Sequence, residues 1–208
     1  PGVALSYGAA FISRGDLAVT GAFMGLWLVQ FGIQSMGMAP SQAMQELAVP
    51  RVLTTVTGAM IGALLMGYIS DRVSRSTAVM LASGLAAVVY LSVSFVTDPT
   101  APWVFGLLAV MGVAEISAFV SSQALVGQQA PAQRRGAVIG FFGVAGAIGI
   151  LVGTAGGGWL FSHINPAAPF VLFGVLNTVV CFWAAMVRRK VVVPPDTDMP
   201  VTAEAASA

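Results

Sequence analysis

The chain has 208 residues, of which 57% are hydrophobic and only 8% are charged, and its formal net charge at pH 7 is +1. A soluble domain carries about 25% charged residues, so the composition excludes a water-soluble globular protein. The basic residues are spread along the chain instead of being gathered with aromatic residues on one surface, which argues against a nucleic-acid partner. We therefore expect a protein whose main partner is the lipid bilayer.

Six apolar runs, each long enough to cross a hydrocarbon layer of about 30 Å, follow one another along the chain. They lie near residues 4–32, 50–70, 76–97, 102–128, 136–161 and 167–187. Prolines fall between these runs or in their first turns, so we predict no proline in the middle of a span. The runs are too long and continuous for barrel strands, and backbone in lipid must satisfy its own hydrogen bonds, so the spans are predicted to be helices.

The predicted fold class is therefore an all-α, polytopic membrane protein. Residues 1–190 are expected to form one bundle of six transmembrane helices, and residues 191–208, rich in Pro, Asp, Ala and Thr, a disordered tail. Most basic residues fall on one side of this topology: Arg72, Arg75, Arg134, Arg135, Arg188, Arg189 and Lys190. By the positive-inside rule that side, with both chain ends, is predicted to be cytoplasmic, and we expect a bacterial inner membrane.

Three ionisable residues lie inside the predicted spans: Arg14 and Asp16 in the first and Glu115 in the fourth. Each costs roughly 2.5–3.5 kcal/mol in the bilayer, which makes it a candidate functional residue. A carboxylate that faces a water-filled cavity can take up and release a proton, and Arg14 can tune Asp16 or bind an anionic group. Residues two apart on a helix point about 200° from each other, so Arg14 and Asp16 cannot both face the cavity squarely.

Each of these assignments has a structural alternative. Arg14 can reach the cytoplasmic headgroups if the first span runs instead from about residue 15 to 37, which would place Asp16 in a first helical turn. Glu115 lies near the middle of its span, with Met111 and Phe119 one turn away on either side. It can line a mixed polar and apolar cavity, or be a buried acid that bonds to a Ser or Gln of another helix.

A short charged segment, Gly67-Tyr-Ile-Ser-Asp71-Arg72-Val-Ser-Arg75, joins the second and third spans. The spacing of Gly67, Asp71, Arg72 and Arg75 resembles the loop signature of the major facilitator superfamily, in which it joins the second and third helices of each six-helix half. The family pattern usually has glycine where this chain has Ser74. The resemblance implies a cytoplasmic gate that latches neighbouring helices, whereas the plain alternative is an ordinary cytoplasmic loop with a helix cap.

The resemblance implies one half of a twelve-helix transporter, with the other six-helix half as a missing partner. In that family the first and fourth helices of a half line the cavity, the second and fifth face the other half, and the third and sixth face lipid. The absence of an arginine at the start of the fourth span, the first residue Pro1 and the short polar tail favour the second half. Glycines at three- and four-residue spacing in spans 2 and 5 agree, although generic helix packing uses the same pattern.

The implied function is a secondary transporter of a small-molecule substrate, proton-coupled through Asp16 or Glu115, which works by rocking of two helical bundles. A membrane bundle that senses or scaffolds without transport is the alternative. An enzyme is not expected, because no intramembrane protease motif is present. The chain has one cysteine and one histidine, Cys181 and His163, so neither a metal site nor a cofactor is predicted.

Overall fold

The computed structural model describes residues 1–188. These residues form six long helices and no strand: α1 Gly2–Met36, α2 Pro40–Arg72, α3 Arg75–Phe95, α4 Pro102–Gln129, α5 Ala132–His163 and α6 Ala168–Val187. All six are long and apolar enough to cross a membrane, which confirms the predicted all-α, polytopic fold. The predicted tail at 191–208, together with Arg189 and Lys190, lies outside the described residues.

The helix ends are set by residues that stop or start a helix for simple steric reasons. Gly37 ends α1 in the left-handed region, with φ of 65°, where a side chain would be strained. Proline opens α2, α4 and α6 at Pro40, Pro102 and Pro169, in first turns whose N–H groups have no partner inside the helix. The connections between consecutive helices are therefore short.

Three of the long helices contain one widened, π-helical turn. These turns span Thr20–Met24 in α1, Met44–Ala48 in α2 and Val152–Gly156 in α5. Such turns shift the register of the side chains around the helix and are frequent at functional sites. The turn in α1 begins at a residue of the polar site described below.

The helices pack along stripes of buried residues spaced three and four apart. In α6 this stripe is Phe170, Phe173, Asn177, Val180 and Ala184, and in α4 it is Val104, Leu108, Met111, Glu115 and Ala118. Helix α1 packs against α4, α5 and α6. Small residues allow the closest approaches: the backbone of Gly149 in α5 lies directly against the carbonyl of Phe11 in α1.

The helices differ in how much of each is covered by the bundle. In the most apolar stretches of α3 and α4, 50% of residues are buried, but in those of α2 and α5 only 22% are. The uncovered faces are rich in large apolar side chains, among them Leu53, Met60 and Leu64 of α2 and Phe141, Leu151 and Trp159 of α5. These two helices therefore present the most open apolar surface of the described chain.

The structure corrects the start of the second span. The helix begins at Pro40 instead of near residue 50, so Pro50, which the prediction placed at the start of the span, lies inside α2. The π-helical turn at Met44–Ala48 immediately precedes this proline and adapts the backbone to its missing N–H. Arg51 is buried in the same helix and donates to the carbonyls of Leu47, Pro99 and Thr100.

Candidate functional site

Two carboxylates, Asp16 and Glu115, lie inside the bundle. Asp16 of α1 is fully buried, and Glu115 of α4 is 4% exposed. Helix α1 continues without a break from Gly2 to Met36. Asp16 therefore lies well inside this helix and not in its first turn, and its burial calls for partners on neighbouring helices.

The partner of Asp16 is Asn177 of α6. The side-chain nitrogen of Asn177 lies 3.1 Å from Asp16 Oδ1 and 2.9 Å from Asp16 Oδ2. The same nitrogen also donates to the carbonyl of Phe173, at 3.0 Å. Among residues 1–188, the buried Asn177 Oδ1 has no hydrogen-bond partner. One amide group therefore fixes the carboxylate of Asp16 against α6.

Glu115 belongs to a different set of contacts, made with α3 and α1. The Tyr90 hydroxyl donates to Glu115 Oε1 over 2.5 Å, and the Thr20 hydroxyl lies 2.9 Å from the same Tyr90 oxygen. Since the phenol has one hydrogen and gives it to Glu115, Thr20 is the donor to Tyr90 in this arrangement. A weaker contact of 3.8 Å joins the Thr20 hydroxyl to the sulfur of Met111. The result is a buried chain of polar groups across α1, α3 and α4.

A small cavity of about 220 Å³ lies next to this chain, between α1, α2 and α4. We call it the carboxylate niche, because Glu115 is the one charged residue in its lining. The hydroxyl-bearing residues Thr20 and Thr55 supply its other polar side chains, and the remaining lining is apolar: Leu17, Gly21, Met24, Val52, Val56 and Ala59. Glu115 is thus both hydrogen-bonded and adjacent to open space, whereas Asp16 does not line the niche.

Arg14 points away from Asp16, as the helical geometry requires. Its guanidinium lies 5.3 Å from the centre of the Phe119 ring of α4, and its side chain passes over Gly146 of α5. In the described part of the chain, the buried Arg14 Nε has no hydrogen-bond partner. The three ionisable residues predicted from the sequence therefore occupy three separate environments within one bundle.

The segment between α2 and α3 forms a compact turn. Ser74 caps α3 by accepting a hydrogen bond from the Thr77 backbone N–H, at 3.2 Å. Arg75 donates to the Ser70 carbonyl at 2.7 Å and pairs with Asp71 at 3.4 Å, which is the one ion pair found within residues 1–188. The guanidinium of Arg72 instead stacks on the exposed ring of Tyr68, 3.9 Å away.

Asp71 and Gly67 of this turn have different surroundings. Asp71 pairs with Arg75, while Ser74 provides the cap of α3. Around Gly67, no described atom beyond its own helical turn comes within 4 Å of where a Cβ would stand. The turn holds its shape by itself and leaves the face around Gly67 open.

No group of three or more His, Cys, Asp and Glu side chains in residues 1–188 is arranged to hold a metal ion. The sequence matches the model of the Major Facilitator Superfamily over residues 6–206, almost the whole chain. The chain belongs to the major facilitator superfamily. Members of this family are typically transporters rather than enzymes.

Similar proteins include two named magnetosome proteins. Magnetosome protein MamH of Paramagnetospirillum magneticum is 26% identical over 191 residues, which cover 91% of this chain and 44% of that protein. Magnetosome protein MamZ of Magnetospirillum gryphiswaldense is 28% identical over 187 residues, or 89% of this chain and 28% of that protein. This facilitator chain therefore spans less than half the length of each of these relatives.

Sequence reasoning found the carboxylates of this facilitator bundle but missed their partners. Tyr90, Asn177 and Thr20 carry no charge, so the search for ionisable residues passed over them. Their positions in the sequence were the available signal, because Tyr90 and Asn177 each interrupt an apolar stripe that faces inward. In α6, for example, Asn177 continues the buried stripe that begins with Phe170 and Phe173. The family resemblance implies that α3 and α6 face lipid. Each exposes apolar residues on one side, and on its other side places Tyr90 (α3) or Asn177 (α6) inside the bundle.

Proposed function

We propose that this chain is one six-helix half of a proton-coupled secondary transporter of small molecules, in which Glu115 is the proton-carrying group. The observation that carries the proposal is the hydrogen-bond chain from Thr20 through Tyr90 to Glu115, which ends beside the carboxylate niche. A buried carboxylate in contact with a cavity can exchange a proton when the cavity opens to water on one side of the membrane.

The chain of hydroxyl groups supports two hydrogen-bond directions. With Glu115 ionised, Thr20 donates to Tyr90 and Tyr90 donates to the carboxylate. With Glu115 protonated, its O–H can donate to the Tyr90 oxygen, the phenol hydrogen then turns to Thr20, and the Thr20 hydrogen turns to the Met111 sulfur. Protonation of Glu115 is in this way linked to the first residue of the π-helical turn in α1.

Asp16 is the second carboxylate that we assign to proton coupling. Among the described residues its hydrogen-bonding partner is the side chain of Asn177 in α6, so its charge is held against α6 instead of by the niche. We assign Asp16 to the coupling pathway as a group that responds to the charge on Glu115, and Arg14 to the wall of the same pathway. The coupling therefore rests on two carboxylates with different partners and different access.

The missing half is proposed to cover α2 and α5. These helices have the lowest burial of the six, and Gly136, Gly140 and Gly143 of α5 have no atoms near the position of a Cβ. A stripe of small residues with nothing against it suits close packing of a helix from the other half. The incomplete coverage of the two longer relatives by this chain supports the same interpretation. Alternating access would then follow from rocking of the two halves, with the Asp71–Arg75 turn as the cytoplasmic latch.

The proposal is tested by uptake into membrane vesicles that contain the full-length protein. Vesicles are energised with an inward-acid pH gradient, incubated with a small-molecule extract, and their contents compared by mass spectrometry with and without a protonophore. We expect at least one solute to accumulate in the wild-type vesicles and to be lost in E115Q and D16N. The matched control is E46Q, because Glu46 is an exposed carboxylate in α2, bonded only to the neighbouring Gln42 among described groups.

The variants must insert normally, which is checked by their yield and monodispersity after extraction. Unchanged accumulation in both E115Q and D16N would remove the coupling proposal. If wild-type vesicles accumulate no solute at all, a bundle that senses or scaffolds without transport becomes the better interpretation.

The proposed topology, with both ends in the cytoplasm of a bacterial cell and the bundle in the inner membrane, is tested separately. Cys181 is replaced by alanine and a single cysteine is introduced at Gln133, in the first turn of α5, or at Asn165, between α5 and α6; both sites are exposed. A membrane-impermeant thiol reagent should label position 165 in intact cells and position 133 only after permeabilisation. The opposite pattern would invert the orientation. Because two relatives are named as magnetosome proteins, microscopy of the tagged full-length protein should also test for that compartment.

A further inference from the structure

Arg14 has an unusual environment for a charged side chain in a membrane helix. Neither a hydrogen bond nor an ion pair joins it to any other residue in the range 1–188, and its buried Nε has no partner. Its Cγ, Cδ and Nε atoms occupy the space that a side chain at position 146 would need, so Gly146 makes room for it. The ring of Phe119 lies 5.3 Å from the guanidinium carbon.

This arginine lies deep within the bundle. Arg14 is five residues from the midpoint of α1 (Gly2–Met36), a displacement of about 8 Å at 1.5 Å per residue. Phe119, over which the guanidinium lies, is within about 6 Å of the middle of α4 (Pro102–Gln129). The guanidinium therefore lies beside the middle part of α4.

Arg14 also stands on the side of α1 that faces the carboxylate niche. Leu17, Gly21 and Met24 of α1 line the niche, and Arg14 precedes Leu17 by one helical turn on the same stripe. On α4, Phe119 follows Glu115 by one turn. The arginine and the niche are thus neighbours along one face shared by α1 and α4.

We propose that Arg14 is the anion-binding subsite of the transport pathway, and that the substrate carries a carboxylate or phosphate group. Arg14 is partly buried, and a cation without a counter-charge is costly within a membrane bundle, so its position is explained by an anion that binds there during the cycle. The planar guanidinium presents a fork of N–H donors that matches the two oxygens of such a group. Phe119 and Gly146 hold the plane and stem of the side chain and leave its edge for the ligand. This inference rests on the proposed transport function and names the class of its substrate.

The test measures binding, independently of transport, on the full-length protein in nanodiscs of phosphatidylcholine. Inorganic phosphate and succinate are the two probes, at constant ionic strength, with choline chloride as the comparator, and the melting temperature is followed by intrinsic fluorescence. One probe should raise the melting temperature in a saturable way. R14Q should weaken that binding at least tenfold, R14K should weaken it less, and R135Q, an exposed arginine at the cytoplasmic end of α5, should leave it unchanged.

Phe119→Leu provides a second test that does not depend on the folding of R14Q. It keeps the arginine but removes the ring, so a few-fold loss of the same binding is expected. If only one of the two probes raises the melting temperature, that result decides between a phosphate and a carboxylate substrate. The proposal is overturned if neither probe stabilises the wild type, or if R14Q responds as the wild type does. It is also overturned if phosphatidylglycerol in the nanodisc reproduces the effect without a probe, because the ligand would then be a lipid headgroup.

The outcome is separable from that of the transport proposal. Loss of solute accumulation with anion binding retained would remove proton coupling and keep Arg14 as an anion site. Accumulation of a neutral or cationic solute alone, unaffected by R14Q, would keep transport and remove the anion site.

Discussion

The side-chain nitrogen of Asn177 lies within 3.1 Å of both carboxylate oxygens of Asp16, although 161 residues separate the two in the chain. The contact joins the first helix to the sixth at the centre of the bundle, in a place without exposure to solvent. Removing either partner leaves a buried polar group unsatisfied, whereas replacing both leaves none.

A double-mutant cycle tests this relationship. N177L should lower the free energy of unfolding of the full-length protein by about 1–3 kcal/mol, because Asp16 loses its donor. The double variant D16L/N177L should cost less than the sum of D16L and N177L. Unfolding in SDS, followed by fluorescence, gives the values. T178V is the control, since the Thr178 hydroxyl bonds only to the Gly174 carbonyl of its own helix among the described groups; additive effects would mean that the pair is not coupled.

Tyr90→Phe removes one hydroxyl and keeps the ring, which packs beside Phe170 with 6.2 Å between ring centres. We expect uptake to fall at least fivefold and its pH dependence to change, because Glu115 loses its donor and Thr20 its acceptor. The loss of stability should be about 1–3 kcal/mol. Tyr68→Phe is the matched control, since that ring is exposed and stacks on Arg72. A pH profile identical to the wild type would separate Tyr90 from the coupling chain.

Gly149→Ala should be strongly destabilising, since a Cβ at this position would collide with the carbonyl of Phe11 and push α5 away from α1. Gly140→Ala, in the same helix, meets no atom of the described chain and should leave the six-helix bundle unaffected. If the other half packs against this stripe, G140A will instead lower the melting temperature of the full-length protein. Comparison of both variants by thermal unfolding separates packing inside the bundle from packing against the partner half. Equal effects of the two substitutions would contradict this division.

In the turn between α2 and α3, Asp71→Asn should change stability by less than about 1 kcal/mol, as expected for an exposed ion pair of 3.4 Å. R75Q should lower the stability more than D71N does, since it also removes the 2.7 Å hydrogen bond to the Ser70 carbonyl at the end of α2. If the turn acts as the proposed cytoplasmic latch, D71N will reduce the uptake rate with little loss of stability. Uptake equal to that of the wild type would leave the turn as an ordinary loop with a helix cap.

The loop between α3 and α4 allows a pH test outside the membrane. The side-chain hydroxyl and the backbone N–H of Thr100 donate to Asp98, at 2.6 and 2.7 Å, and hold the pKa of that carboxyl below its ordinary value of 3.8. A lowered native pKa contributes stability above the unfolded pKa, and that contribution is lost as pH falls through the native pKa.

T100V should therefore be less stable than the wild type at neutral pH, and the difference should shrink as the pH falls below 3.8. Melting temperatures of both proteins between about pH 3 and pH 7 measure this difference, because that range spans the ordinary pKa of a carboxyl group. The control is T57V, because the Thr57 hydroxyl bonds to the Leu53 carbonyl of its own helix and should give a constant difference. A constant difference in T100V as well would contradict the assignment.

The sequence by itself determined the number of helices and their character. Lengths of apolar runs depend on the thickness of the bilayer and on the need of each backbone segment to satisfy its own hydrogen bonds, and both are local properties of the chain. The same reasoning located Arg14, Asp16 and Glu115, because a charge is conspicuous in an apolar run. The same reasoning misplaced the start of the second helix at Pro50, because a widened turn before this proline lets the helix continue through a residue that normally lies at a helix end.

Only the tertiary structure decided what each charge contacts. Asn177 and Tyr90 are neutral residues in apolar helices, and the 161 and 25 positions that separate them from their carboxylates leave no periodicity for a sequence to display. Hydrogen bonds between membrane helices depend on how the helices rotate and cross, which is set by packing of small residues such as Gly146 and Gly149 over the whole interface. That packing gives Glu115 a hydrogen-bond donor beside a cavity, encloses Asp16, and leaves Arg14 without a counter-charge among the residues described.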